Sequence, residues 1–212
     1  MSDYPSEIAE NLNKNYELFT RNYETAFLNL AERNPADIAK KTESELLSSD
    51  KLTLSFFEKW VIVDLFKRRI YSIAGKKLET LDSFSSAIIL HFLLTADGAP
   101  LTGKWILYRE LPDGLFYSDT IPGILQPLIK KYECGGTDFL KKILEIGGKI
   151  DKNFKFAGVV YPFKKFPVLF MVEEKDEEFE ADMRVLFDSS ASHYLKSDII
   201  KTLVVYTVKK LL

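Results

Sequence analysis

Phe166–Leu195 reads FPVLFMVEEKDEEFEADMRVLFDSSASHYL, and its pattern decides the fold. Phe166 to Val172 is a nearly continuous apolar run, as in a strand buried on both faces. Glu173 to Glu178 follows as an acidic turn region. Phe179, Ala181, Met183, Val185 and Phe187 then fall on every second residue, with Glu178, Glu180, Asp182 and Arg184 on the opposite face. That is the alternation of a half-buried strand. The two runs predict a hairpin with a long acidic tip. Asp188, Ser189 and Ser190 stand where a helix takes its N-cap. A strand–strand–helix core results, on which the rest of the chain is expected to pack.

Working outward, Phe154 to Phe163 reads as the preceding strand. Past Leu195, the residues Ile200, Leu203, Val204, Thr207, Val208 and Leu211 mark a final helix with one apolar stripe. Asp198 near its start and Lys209 and Lys210 near its end match the helix dipole. Pro122 to Tyr132 and Thr137 to Ile146 predict two helices joined through Cys134, and Gly147–Gly148 ends the second. Between Gly103 and Gly114, Trp105, Leu107 and Arg109 share one strand face, with Ile106, Tyr108 and Glu110 on the other. Pro112-Asp-Gly closes that stretch as a turn.

In the first half, Ser83 to Thr95 predicts a helix apolar almost all round, and therefore buried on most sides. Leu52 to Ile73 is strand-rich, with turns at Glu58–Lys59 and Lys67–Arg68. Pro35 to Lys41 is a short helix followed by a polar connection. Residues 6 to 33 predict the longest helix, with Ile8, Leu12, Tyr16, Phe19, Tyr23, Phe27 and Leu30 on one face. Asn34–Pro35 stops it, and at about 1.5 Å per residue it is roughly 40 Å long. Such a rod either packs on its own sheet or makes a homodimer contact. The expectation is a single α+β domain over 35–212 with a largely antiparallel or mixed sheet, helices packed on it, and an N-terminal helix over 1–34.

Composition narrows the function. The 212 residues are 46% hydrophobic, enough for a sizeable core, and the net charge of -2 gives no general pull toward nucleic acid or an anionic membrane. The one cysteine, Cys134, excludes an intramolecular disulfide and an all-cysteine metal site within the chain. Two histidines far apart offer no metal-ligand spacing, so no metal site is assigned. Met1 to Asn15 is polar and acidic, unlike a signal peptide. No apolar run reaches the roughly 18 residues of a membrane span. A cytoplasmic protein, with neither membrane nor nucleic-acid partner, is expected.

The candidate site residues are His91, Trp105, Tyr108, Arg109, Glu110, Asp188 and His193. Trp105 to Glu110 is the densest group of aromatic and charged residues, a mixture enriched at binding sites. His91 lies inside an apolar helix, where burial moves an imidazole's titration. Asp188 and His193 are five residues apart across a strand–helix junction. Together with Ser189 they admit a Ser–His–Asp arrangement, although capping already explains the serine and the aspartate. Each residue also has a plain structural role open to it.

Two groups of motifs carry a resemblance. The first is Leu90-His-Phe-Leu-Leu with Gly98, Pro100, Gly103, Trp105 and Arg109-Glu-Leu-Pro-Asp-Gly114. The second is Phe166-Pro-Val, Asp176-Glu-Glu-Phe179, Leu186-Phe-Asp188, Ser190-Ala191 and Leu195, with Gly147–Gly148 between the groups. Over roughly Leu52 to the C-terminus the chain resembles domain-of-unknown-function family 3786, a family of uncharacterised bacterial and archaeal domains. Some similar proteins are joined to cysteine-rich iron–sulfur segments or associated with anaerobic corrinoid metabolism. This chain, with one cysteine, departs from that pattern, and no cofactor is assigned to it. Three readings of function stay open: an accessory or binding module for a small ligand or partner protein, an enzyme using a His/Asp/Arg site, and an oligomeric protein assembled through its first helix.

Overall fold

The computed structural model describes residues 23–75 and 77–212. The chain divides into two compact units, Met1–Leu54 with Lys59–Ala96 and Ser55–Glu58 with Asp97–Leu212. The α+β class holds, and the strands form two antiparallel sheets.

The first unit begins with helical residues 23–31 (α1). The part of the expected first helix before Tyr23, and with it any assembly arm, lies outside the described residues. Pro35–Thr42 (α2) is capped by the Asn34 side chain, which accepts from the Ala36 N–H at 3.0 Å. Five strands follow in sequential order: β1 Glu45–Ser48, β2 Lys51–Phe56, β3 Lys59–Asp64, β4 Arg69–Ala74 and β5 Lys77–Thr80. β1 replaces the expected polar connection and β5 stands in a stretch to which no element was assigned, because both are exposed edge strands with no buried face to impose alternation. Ser83–Thr95 (α3) is capped by Asp82 and buries Ile88, Ile89, Leu90 and Phe92 around its circumference.

The second unit carries the sheet that holds the candidate residues. Its strands are β6 Trp105–Leu107, β7 Lys149–Ile150, β8 Ala157–Phe163, β9 Phe166–Glu173 and β10 Asp182–Asp188, in the order β6-β10-β9-β8-β7. The expected hairpin is β9–β10, with Asp182 opposite Glu173 and Phe187 opposite Val168. Met183, Val185 and Phe187 are buried on the face covered by α4 (Ile121–Tyr132), α5 (Gly136–Glu145) and α6 (Ser197–Leu211). On the other face, Trp105, Tyr161, Met171 and Leu186 pack around Ala157, Val159 and Leu169. Ser55–Glu58 belongs to this unit too: the Phe57 N–H donates to the Pro162 carbonyl at 2.8 Å, and Glu58 pairs with Lys210 at 2.8 Å.

Between β6 and α4 the backbone folds into 3₁₀ turns at Tyr108–Glu110, Gly114–Phe116 and Ser118–Thr120. Gly114 is required there, since a Cβ on it would stand 2.1 Å from the Tyr108 carbonyl oxygen. Gly123, in the first turn of α4, has open space where a Cβ would go. Gly114→Ala is therefore expected to cost about 1–3 kcal/mol, and Gly123→Ala to gain about 0.5–1 kcal/mol. Thermal unfolding of the two variants checks both signs, with about 2–4 °C in Tm per kcal/mol for a chain of this size.

Candidate functional site

The strand expected over Trp105–Glu110 stops at Leu107, and side-chain chemistry explains why. Glu110 turns back and accepts the Leu107 N–H at 2.7 Å, a donor that points away from β10, and this bond closes the chain into a turn. Tyr108 turns inward, is buried, and donates its hydroxyl to the Ser197 carbonyl at 2.6 Å. Its ring meets Phe187 edge-on at 6.0 Å. Burial first, then the charge of Asp198, pushes the Tyr108 hydroxyl's titration well above its ordinary value. Tyr108 and Glu110 thus build the turn, whereas the expected alternation placed them on a strand face.

Asp188 is the most densely bonded side chain of the group. One carboxylate oxygen accepts from the Thr102 N–H at 3.1 Å, the Thr102 hydroxyl at 2.9 Å, the Ser190 N–H at 2.9 Å and the Ser190 hydroxyl at 2.6 Å. The other accepts from the Gly103 N–H at 2.7 Å. Burial raises its titration, but the hydrogen bonds from Ser190, Thr102 and Gly103 prevail and hold it below the usual carboxylate value. The expected N-cap is instead a staple between two loops. A short 3₁₀ turn, Ala191–His193, follows, and α6 begins only at Ser197.

His193 does not meet Asp188. Its Nδ1 lies 2.6 Å from Oδ2 of Asp97, and both side chains are about half exposed, at 50% and 53%. The His193 hydrogen bond is the main cause holding the Asp97 carboxyl below its ordinary value. No hydroxyl or thiol among the described residues bonds to the His193 ring, and the Ser189 hydroxyl pairs with Thr102 at 2.8 Å. The Ser–His–Asp arrangement is therefore not assembled. His91 is half-buried on α3 in the first unit, and Trp105 lies opposite Asp188 on β6, packed on the outer sheet face.

Arg109 stands apart from these. It is exposed, makes no ion pair or hydrogen bond among the described residues, and lines a groove of about 350 Å³. The floor is apolar, formed by Leu107, Ile121, Leu125, Ile129, Met183 and Val185. Ser118 and Gln126 add neutral polar groups. Arg184, the other arginine there, is already engaged with Glu173 at 3.4 Å and Asp182 at 3.6 Å. Of the residues lining this groove, the sequence singles out Tyr108 and Arg109 as candidates but not Gln126, Met183 or Val185. The available signal was the stripe Pro122, Gln126 and Ile129, which shares one helix face at spacings of four and three and is exposed or half-exposed. A second cavity, of about 430 Å³, lies in the first unit beside Asp37 and Lys41, where Arg33 already donates to the Leu94 carbonyl at 2.6 Å.

Among the described residues no group of three or more His, Cys, Asp or Glu is placed to hold a metal ion, and no helix is long and apolar enough to cross a membrane. Cys134 is exposed and unpaired.

Residues 34–210 match the model of a family described as Domain of unknown function (DUF3786). No curated protein and no solved structure matches the chain.

Because its folded value is depressed, Asp188 contributes stability that is present above the unfolded carboxylate value near pH 4 and is lost as pH falls through the folded value. Asp188→Asn leaves the Gly103 N–H facing an amide and is expected to cost about 2–4 kcal/mol at neutral pH. Denaturant unfolding from pH 7 to pH 3 checks this, with the gap between wild type and variant shrinking below about pH 4.

Proposed function

The chain belongs to the DUF3786 family, whose description assigns no activity, and we propose from its own geometry that it is a soluble, cytoplasmic binding module. Its ligand carries an apolar body and an anionic group, and it lies in the groove bounded by Leu107–Arg109, α4 and the first half of β10. The observation that carries this reading is Arg109, a guanidinium with no partner among the described residues beside an apolar floor. Arginine presents a planar fork of donors suited to a carboxylate, sulfonate or phosphate. A few polar groups around an apolar hollow is the usual make-up of a binding site. Asp188 and Tyr108 are committed to holding the frame and Glu110 accepts the Leu107 N–H, so none of these three stands free for acid–base work beside the groove, which favours binding there over turnover.

Anilinonaphthalenesulfonate is a suitable probe, since it joins an aromatic body to one anion. Titration followed by fluorescence is expected to saturate at one site and to weaken about 5-fold in Arg109→Ala, the scale of one partly exposed charge pair. Because Arg109 is exposed and makes no contact the fold uses, the variant's Tm is expected to stay that of the wild type. Equal affinity in wild type and variant at equal Tm would sink the assignment.

A further inference from the structure

The groove lies along an unfinished sheet edge. β6 pairs with β10 only from Leu186 to Asp188, so Asp182–Val185 has β9 on one side and no strand on the other. In an antiparallel strand, the N–H and C=O of one residue point to the same side, and successive residues alternate. The Val172 N–H donates to the Phe156 carbonyl at 2.9 Å, so the even-numbered residues of β9 face β8 and the odd-numbered ones face β10. Their partners in register, Asp182, Arg184 and Leu186, therefore face β9. Met183 and Val185 face the vacated side. The Ser189 N–H, donated to the Lys104 carbonyl at 2.8 Å, gives the same parity from the other end of β10. Among the described residues no backbone or side-chain group bonds the amides of Met183 and Val185 on that side, and both residues line the groove.

We propose that the groove takes an extended segment of another protein, which adds to β10 as the strand that β6 leaves unfinished, turns apolar side chains toward α4, and sets one carboxylate against Arg109. The proposal rests on the binding-module reading and names its ligand. The open length, Asp182–Val185, is about 13 Å at about 3.3 Å per residue, room for roughly four residues of added strand. Each added residue opposite Met183 or Val185 exchanges both its N–H and its C=O, and its side chain falls on the same face as theirs. That face holds Leu125 and Ile129, so the residues that hydrogen-bond must also be the apolar ones. Arg109, without an acidic partner among the described residues, supplies the charge complementarity for an acidic segment. Main-chain pairing gives affinity in this mode, and the pockets for alternate side chains give selectivity.

The coupling between hydrogen-bonding and side-chain face gives a sharp test. The probe is a blocked peptide of alternating valine and threonine with one threonine replaced by glutamate, used in two further versions, one N-methylated at every valine and one at the threonines. Amide exchange and chemical shifts are read on the full chain by NMR. The unmodified peptide is expected to slow exchange of the Met183 and Val185 amides about 10-fold or more, and threonine methylation to change affinity less than about 2-fold. Valine methylation is expected to weaken binding about 10-fold or more. Equal binding of both methylated versions would overturn strand addition. So would the absence of peptide binding while the fluorescent sulfonate still shows its Arg109 dependence, and that outcome leaves the binding-module reading standing. Loss of both signals removes the two together. Protection of the same amides without peptide, rising with protein concentration, assigns the edge to a second copy of this chain and overturns the heterologous partner.

Discussion

The carboxylate of Asp188 is the constraint on which the second unit depends. It gathers the backbone of Thr102 and Gly103 and the turn at Ser190 onto one pair of oxygens. In doing so it fixes where Trp105 starts opposite the end of β10. Once that register is set, Leu107 falls opposite Leu186, and Glu110 and Tyr108 take the chain out of the sheet. The length of β6, and hence the opening beside Met183 and Val185, follows from polar bonds several residues away. A buried charge is tolerated here because five donors replace its hydration. With fewer donors the desolvation cost would dominate.

The same accounting separates frame from site. Polar groups whose capacity is filled inside the protein hold structure, and those left open face something else. Asp188, Tyr108 and Ser197 are filled, the last donating to the Pro112 carbonyl, and Glu110 is engaged by the Leu107 N–H. Arg184 is filled by two carboxylates. Arg109 is not, and it sits on the turn whose neighbours are fully engaged, so its guanidinium is presented from a rigid base. The backbone beneath it needs no ordering when an anion is engaged, and the cost that remains is the rotamer freedom of the arginine side chain itself.

Much of this was legible in the sequence where burial writes a period. The alternation from Met183 to Phe187 gave β10, the all-round apolarity of Ile88 to Phe92 gave a buried α3, and Asn34–Pro35 gave a helix boundary. β1 and β5 left no such mark, because a strand exposed on both faces carries no pattern to read. The end of β6 was illegible for a different reason. Trp105 to Glu110 alternates acceptably as a strand, and the bonds that terminate it involve Ser197, distant in sequence, and a side chain that folds back on its own turn. Asp188 shows the same limit: its serine neighbours suit a cap, but Thr102 and Gly103 make it a staple. Arg109 was singled out without its groove, since a groove belongs to α4 and β10 jointly.

How the sheet treats its other short edge strand supports reading the open half of β10 as a site. β7 also ends early, covering only Gly158 and Val159 of β8. There the chain completes the edge itself: the Phe57 N–H donates to the Pro162 carbonyl and the Asp151 N–H to the Ala157 carbonyl. The edge strands of the first sheet carry charge instead, Glu45 on β1 and Lys77 and Glu79 on β5, a common guard against indiscriminate pairing. Beside Met183 and Val185 the chain, among the described residues, does not complete the edge, and the charges that stand there, Asp182 and Arg184, pair with each other at 3.6 Å. The bounding helix and turn narrow access to that edge without supplying its hydrogen bonds. An edge open to any strand invites aggregation, whereas one recessed under α4 admits only a segment with small polar and apolar residues in the right alternation. Selectivity is then built into the approach, and the unmade backbone bonds of Met183 and Val185 become the part of the fold that a partner completes.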